Sequence, residues 1–398
     1  MTDNADEQFE KATLPDFVKT ISGDVVKKSF LLAAITFAST YVVSWVVLLL
    51  GGIISNWSYF DFGNTFTGAF QSITLAGFSS LVSSSEQSFG GFSIGFVPLF
   101  TFAALILNTI FASRKLLADQ AKLGMAKLLL PAIISGLMVA LAATIFAAVL
   151  PIQTGDAFSE MSQSAASFLS FILLFVFVAV TILLSVLKLE KKWLDKILEY
   201  VPAGTVATSL RHLGALMLVG TIAFLIWVST GGAIDFWLVL LLLPTAGIWV
   251  SNILLLGQIR ADMSLLGGAF QQDLGLFSMT LDAWVPWVAL LVVLALGLIA
   301  SMYLAIRRGG KLGTNSDWIK TPLAYAFLGL VLQIFSVFAV SYSGAEGFAG
   351  ASGGVYMAAW SFLIFGLWGL LVEVSSRFVA PYLVPKLPKG IFQFLKKY

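Results

Sequence analysis

Arg260 is the one basic residue of the chain that stands apart from five cationic clusters, and the carboxylates Asp262, Asp273 and Asp282 follow it closely. A guanidinium carries its donors in a rigid fork that fits a carboxylate or a phosphate through paired hydrogen bonds. Arg260 therefore either receives an anionic group, such as a lipid phosphate, or is held by Asp262 or Asp273 to fix a loop. Asn252 adds an amide at the end of the apolar run just before them. These residues form the candidate ligand-binding set. Two other amides, Asn108 and Gln333, fall deep in apolar stretches, where an amide hydrogen-bonds a neighbouring helix or lines a path. Glu373 is the one carboxylate inside a clear apolar span, and Arg377 follows at the i,i+4 spacing of a helical ion pair. His212, the single histidine, borders a polar segment and reads as an interfacial residue.

Several chemistries are excluded by what the chain lacks. It has no cysteine and one histidine, so there is no thiol nucleophile, disulfide framework or Cys/His zinc cluster. No G-x-x-x-x-G-K, HExxH or nucleophile-elbow motif occurs. A proton relay would need carboxylates or histidines within the spans, and only Glu373 is there. The expectation is a protein that is not an enzyme and that needs no cofactor and no metal. Its basic loops are short and scattered, which suits anionic lipid head groups rather than nucleic acid.

The elements that position these residues are apolar helices. Hydrophobic residues make up 59% of the chain and charged residues 11%, and apolar runs long enough to cross a bilayer recur along it. Hydropathy places full spans at 30–54, 92–111, 128–149, 165–186, 213–228, 284–306, 322–340 and 355–374. The fold class expected is all-α and membrane-embedded, with about eight transmembrane helices. Two further segments, 64–82 and 239–256, break the pattern. The first is amphipathic; the second is apolar but carries Pro244 and Gly247.

Charge decides how those two are read. The clusters in 1–29, 113–127, 188–211, 307–320 and 377–398 hold 22 of the 23 basic residues. Lys and Arg in short loops mark the cytoplasmic side, so the chain crosses an even number of times between consecutive clusters. Both termini then lie in the cytoplasm, and the setting expected is a bacterial plasma (inner) membrane. Segments 64–82 and 239–256 must dip in and return, which is tolerated where protein or water shields the broken backbone. The alternative is a two-span hairpin of 239–256 and 264–283, whose second arm would carry Gln271, Gln272 and Asp273 into the bilayer.

The halves look duplicated. Residues 92–116 match 277–308, pairing Pro98 with Pro286 and closing each span with a basic pair. Residues 127–141 match 320–334, pairing Lys127 with Lys320 and Gly136 with Gly329, and TGAFQ at 67–71 echoes GGAFQ at 267–271. An even number of crossings per half makes this a parallel tandem repeat. The domain reading is a cytoplasmic tail with an interfacial helix (1–29), a first membrane repeat (30–187), an amphipathic cytoplasmic linker (188–212), a second membrane repeat (213–376) and a basic cytoplasmic tail (377–398). Glycines 136, 220, 297 and 329 read as points of close helix approach.

At Leu243-Pro244-Thr245-Ala246-Gly247-Ile248-Trp249, and again along 92–115, the chain resembles a group of bacterial, mainly actinobacterial, polytopic membrane proteins that includes PerM-like cell-division proteins. That resemblance implies a part in envelope assembly or division and carries no catalytic residues over. Three functional readings follow. One is a binding or passage site for a lipid-linked or small amphipathic molecule where the dipping segments meet. The second is a non-enzymatic scaffold for partner membrane proteins, which predicts no cavity at 239–282. The third is a permease subunit that needs a separate ATPase, docked on the 188–211 helix. Membrane lipids are the partners common to all three.

Overall fold

The computed structural model describes residues 23–54, 62–85, 91–121, 125–154, 161–186, 204–229, 236–265, 268–278, 282–309, 314–343 and 350–397. The first half contains α1 (Gly23–Ile54), α2 (Phe62–Leu75), β1 (Ser80–Ser85), β2 (Gly91–Phe96), α3 (Leu99–Leu116), α4 (Met125–Val149), β3 (Ile152–Thr154), β4 (Met161–Ser164) and α5 (Phe168–Val186). The second contains α6 (Thr205–Ser229), α7 (Phe236–Leu254), β5 (Gln258–Leu265), β6 (Gly268–Gly275), α8 (Val285–Arg307), α9 (Asp317–Phe335), β7 (Phe338–Ser343), β8 (Ala351–Met357) and α10 (Ser361–Phe378). A last helix, α11 (Lys389–Lys397), is amphipathic and packs against α8. The interfacial helices expected in 1–22 and 188–203 lie outside the described residues.

Among the described residues, eight helices are long and apolar enough to cross a bilayer: α1, α3, α4, α5, α6, α8, α9 and α10. The chain is a polytopic helical membrane protein. An α-helix suits these runs because it pairs its own backbone groups where no water can do so. Large side chains such as Phe111, Leu218, Leu291 and Phe327 are more than half exposed, as a lipid-facing surface requires. Trp284 and Trp287 at the start of α8 are also exposed, in the manner of the aromatic belt at a membrane–water boundary.

The strands are the part that hydropathy missed. Residues 92–96, 338–340 and 355–357 were assigned to spans, yet they form β2, β7 and β8; α3, α9 and α10 occupy Leu99–Leu116, Asp317–Phe335 and Ser361–Phe378. The cause is periodicity. FSIGF, FAVSYS and GVYM alternate bulky apolar with small or polar residues, which marks a strand with two unlike faces, whereas a window average reads only an apolar mean. Pro98 then stands at the N-cap of α3. Residues 258–275 likewise form a β-hairpin, so the second helical arm considered at 264–283 is not there. The pentapeptide echo also dissolves. TGAFQ lies in helix α2, while the GAFQ of its counterpart lies in strand β6, because the same short string takes the structure its surroundings pack.

The eight strands of the described residues join one antiparallel sheet in the order β3-β4-β1-β2-β7-β8-β5-β6. Its strands adjoin the ends of the helices opposite Arg114, Lys115, Arg307, Arg308 and Arg377. One face is apolar. Leu81, Ile94, Phe96 and Phe338 pack with Leu48 of α1, Ala69 and Leu75 of α2 and Leu242 of α7, and Ile259, Leu274 and Val355 pack on Trp249, Ile253 and Ala289. The sheet therefore sits across the helix ends with its other face turned away.

Each half has its own helical core. Leu32, Ile73, Leu105, Leu128, Leu174 and Ile182 meet in the first, and Leu216, Ile248, Val293, Leu304, Tyr325 and Phe365 in the second. Phe335 of α9 reaches Phe78 and Phe102, with ring centroids 5.4 and 5.0 Å away, and ties the two cores together. Helices α6 and α7 cross at Gly220 and Gly247. A Cβ built on Gly220 would stand 2.8 Å from the Gly247 carbonyl oxygen, so the backbones approach as closely as small residues allow. The α6 helix starts at Thr205, inside the expected linker, and this corrects the reading of His212. That residue is buried, with Nδ1 3.0 Å from the Tyr325 hydroxyl, because the extra helical turns carry it into the core.

A buried ionic network binds the basic ends of α8, α9 and α10. Arg308 donates two hydrogen bonds of 2.8 Å to Glu373, Arg377 donates one of 2.7 Å, and Thr321 donates one of 2.8 Å. Asp317 lies 3.7 Å from Arg308 and accepts the Thr314 amide N–H. The Glu373–Arg377 pair expected from spacing is present, and Arg308 of α8 with Thr321 and Asp317 of α9 makes it a three-helix clamp. Nearby, Arg211 of α6 and Arg307 of α8 both donate to the Tyr303 hydroxyl and lie over its ring. Removing one member of a buried charge group leaves the others uncompensated, at a cost of about 3–5 kcal/mol. Glu373→Leu should therefore lower the thermal unfolding midpoint sharply, and Glu373→Leu combined with Arg308→Leu should recover part of the loss.

Candidate functional site

Both short helices that precede hairpins end in the same unusual way. Phe78, after α2, has φ 60°, and Leu256, after α7, has φ 69°; these are the two non-glycine residues with positive φ among those described. An L-residue pays roughly 1–2 kcal/mol for this left-handed conformation. In return, at α7, the Gly257 N–H reaches the Asn252 carbonyl at 2.7 Å and the Leu256 N–H reaches Ile253 at 2.9 Å, the two reverse bonds that close a helix C-terminus. The chain then turns directly into β5 or, in the first half, β1.

Asn252 belongs to this turn. Its Nδ2 donates to the Gln258 carbonyl at 2.9 Å, and it is fully buried. A Cβ on Gly257 would fall 2.1 Å from Asn252 Oδ1, so glycine is required there by close approach. Trp249, one helical turn earlier, donates from Nε1 to the Ser336 carbonyl at the end of α9 at 2.7 Å. In the first half Gln71 does the same work, donating from Nε2 to Ala147 and Leu150 at the end of α4 and accepting the Ala165 amide.

The face of the sheet turned away from the helices is concave and carries serine hydroxyls among small and apolar groups. It forms a trough of about 580 Å³ bordered by β1, β2, β5, β6, β7 and β8, hence by both halves. Alternation along the strands and their register put small and hydroxylated side chains there. Ser93 and Ser341 face each other across β2 and β7 with oxygens 2.8 Å apart, and Ser264 and Ser352 do so across β5 and β8, also at 2.8 Å. Asp262 is the one carboxylate in the lining among the described residues, and its Oδ2 accepts the Tyr356 hydroxyl at 2.7 Å. That bond pushes the Tyr356 hydroxyl above its ordinary pKa.

The candidate set from sequence is thus sorted into separate places. Arg260 sits beside the trough on β5, directly opposite Asp273 on β6. Its Nε donates to Asp273 Oδ1 at 2.9 Å and an Nη to Oδ2 at 3.4 Å, so its fork is engaged by a carboxylate of its own hairpin. Asp262 is in the trough. Asn252 lies beneath the sheet, and Asp282 is exposed at the foot of α8, where its carbonyl accepts the Val285 N–H. The intramembrane amides bridge elements: Asn108 donates to Thr40 of α1 at 3.4 Å, and Gln333 donates to the Ala358 carbonyl at 3.3 Å. No cluster of metal-ligating residues occurs among the described residues. Sequence reasoning missed Tyr356 and the paired serines. Their signal was the period-two pattern of small polar residues in SLVSSS, GFSIGF, FAVSYS and ASGGVYM. No protein-family model, curated protein or solved structure matches this chain.

Hydrogen bonding to Arg260 holds the Asp273 carboxyl below the usual carboxylate range, and the same bond raises the guanidinium. A carboxyl whose folded pKa is depressed adds stability above its unfolded pKa and loses it as pH falls through the folded one. Wild type should therefore unfold at a higher temperature than Asp273→Asn at neutral pH. The gap should be small for a half-exposed pair and should close in acid below the ordinary carboxylate range, as followed by thermal unfolding from pH 7 to pH 3.

Proposed function

We propose that this protein binds a lipid-linked or small amphipathic molecule, with the polar head of that molecule in the trough, and that it moves or presents the molecule at the plasma membrane without enzymatic chemistry. The observation that carries this reading is the trough itself. It is a concavity of about 580 Å³, within the roughly 300–1,000 Å³ of small-molecule sites, with serine hydroxyls, Asp262, Gln271 and Tyr356 set in a largely apolar lining above eight apolar helices. A scaffold without a ligand needs no such cavity, and residues 262–264 and 269–271 line it.

On this reading the halves are tandem duplicates, and α2 and α7 are re-entrant. The support is the recurrence of the same order of elements in each half, with the left-handed residues Phe78 and Leu256 at matching points. Gln71 and Trp249 donate to the ends of α4 and α9 in the same manner. Gly136 and Gly329 each admit a phenylalanine of the following helix, Phe175 and Phe365. Each short helix followed directly by a hairpin gives the chain a way back to the side it entered from.

Two experiments test these statements. Ser341→Phe fills the floor of the trough. Lipids co-purified from membranes and identified by native mass spectrometry should include a species held by wild type and lost from the variant; identical lipid profiles would remove the trough as the site. For sidedness, the absence of cysteine allows Asp195→Cys and Ala345→Cys to be probed on intact cells with an impermeant thiol reagent. Labelling at 345 and not at 195 is expected, and the reverse pattern would invert the orientation.

A further inference from the structure

Resting on the reading that the trough holds the head of an amphiphile, we propose that this head is a neutral, hydroxyl-rich group, a sugar, and neither a phosphate nor an ammonium.

Charge excludes the anionic head. The cation nearest the trough, Arg260, is tied side-on to Asp273 through two hydrogen bonds, and the lining itself carries a carboxylate. A phosphate entering here would face Asp262 with no free guanidinium or ammonium among the described lining residues to meet it. Hydrogen-bonding capacity disfavours the cationic head. Asp262 already accepts from Tyr356 through Oδ2, so one carboxylate oxygen is partly taken, and the remaining polar lining consists of hydroxyls and the Gln271 amide. A desolvated ammonium needs more compensation than that.

A sugar fits what is left. Each serine hydroxyl is at once a donor and a two-fold acceptor with a rotatable hydrogen, the same capability that a sugar hydroxyl brings. Ser93 and Ser341 share one hydrogen bond, Ser264 bonds both the hydroxyl and, at 3.4 Å, the carbonyl of Ser352, and the oxygen lone pairs left on both pairs can still accept from a sugar hydroxyl. The free oxygen of Asp262 can accept from sugar hydroxyls as a charge-assisted bond. Gly354, whose absent Cβ would stand 3.3 Å from Asp262 Oδ1, keeps the approach to that oxygen open.

The test uses the full chain in lipid nanodiscs and three probes that share one tail: n-octyl β-D-glucoside, n-octyl phosphate and n-octyltrimethylammonium, below their micellar concentrations. Saturation-transfer NMR reads contact between protein and head-group protons, for octyl phosphate through the methylene next to the phosphate, and signal present in wild type but absent from Ser341→Phe is assigned to the trough. The glucoside alone should give such a signal, and Asp262→Asn should weaken its binding about tenfold, the loss of one charge-assisted hydrogen bond. Thermal midpoints serve as the folding control. If Ser341→Phe does not fold, Ser264→Val and Asp262→Asn carry the comparison. Trough-dependent signal from octyl phosphate or octyltrimethylammonium equal to or above that of the glucoside would overturn the sugar while leaving the amphiphile reading intact. No trough-dependent signal from any probe would overturn both.

Discussion

Backbone groups that leave a helix near a bilayer must find partners quickly, and this requirement shapes the protein more than any side chain does. A peptide N–H or C=O without a partner in an apolar setting costs several kcal/mol. Six of the eight spans border a strand at the end away from the basic clusters, the other two, α1 and α6, precede the short helices that lead to one, and no isolated hairpin with strands of three to eight residues would be stable there. Pairing all four hairpins into one sheet solves the problem for both halves at once. The β2–β7 ladder, six residues long, is the seam through which the halves share their hydrogen bonds, while the Phe78, Phe102 and Phe335 rings join them below. At the opposite end, where the chain turns in basic loops, the clamp of Arg308, Asp317, Glu373 and Arg377 locks three helices through charge.

The number of apolar spans could be read from the sequence because a helix that crosses lipid must be long and uniformly apolar, and few other structures are. The charge distribution drew attention to the stretch after Gly257, and that stretch does border the trough. What stayed hidden was the sheet. Its strands are short and continue apolar segments without a break in mean hydropathy, so FSIGF and FAVSYS merge with the helices beside them. The division of labour within the candidate set was also out of reach. Asn252, Arg260, Asp262 and Asp282 lie close in the chain, but a helix terminus, a strand and a helix start send them to different places. Glu373 shows the opposite case: the i,i+4 partner was evident, whereas Arg308, far away in the chain, needed the fold to bring it near.

The trough follows from the same alternation that builds the sheet. With bulky residues on the helix side, the opposite positions are left to serine, glycine and alanine, and a curved sheet of such residues encloses space instead of filling it. Exposed hydroxyls and volume thus arise together. Position matters as well. Val82 stands four residues after Phe78 and Arg260 four residues after Leu256, so comparable points in the two hairpins carry a neutral side chain in one and an ion pair in the other.

The strand order also gives the sheet two unlike ends. It is joined head to tail, so β2 is covered by β7 whereas β3 and β6 form its margins. An eight-residue margin such as β6 is a template on which foreign chains could stack and grow into aggregates. Two devices blunt it: Asp273 places a charge along the strand, and Ser278 folds back so that its hydroxyl accepts the Gly275 N–H at 2.7 Å. Growth of the ladder by further polypeptide is thereby impeded at the foot of this strand, so the open margin of the sheet is a poor template for its neighbours.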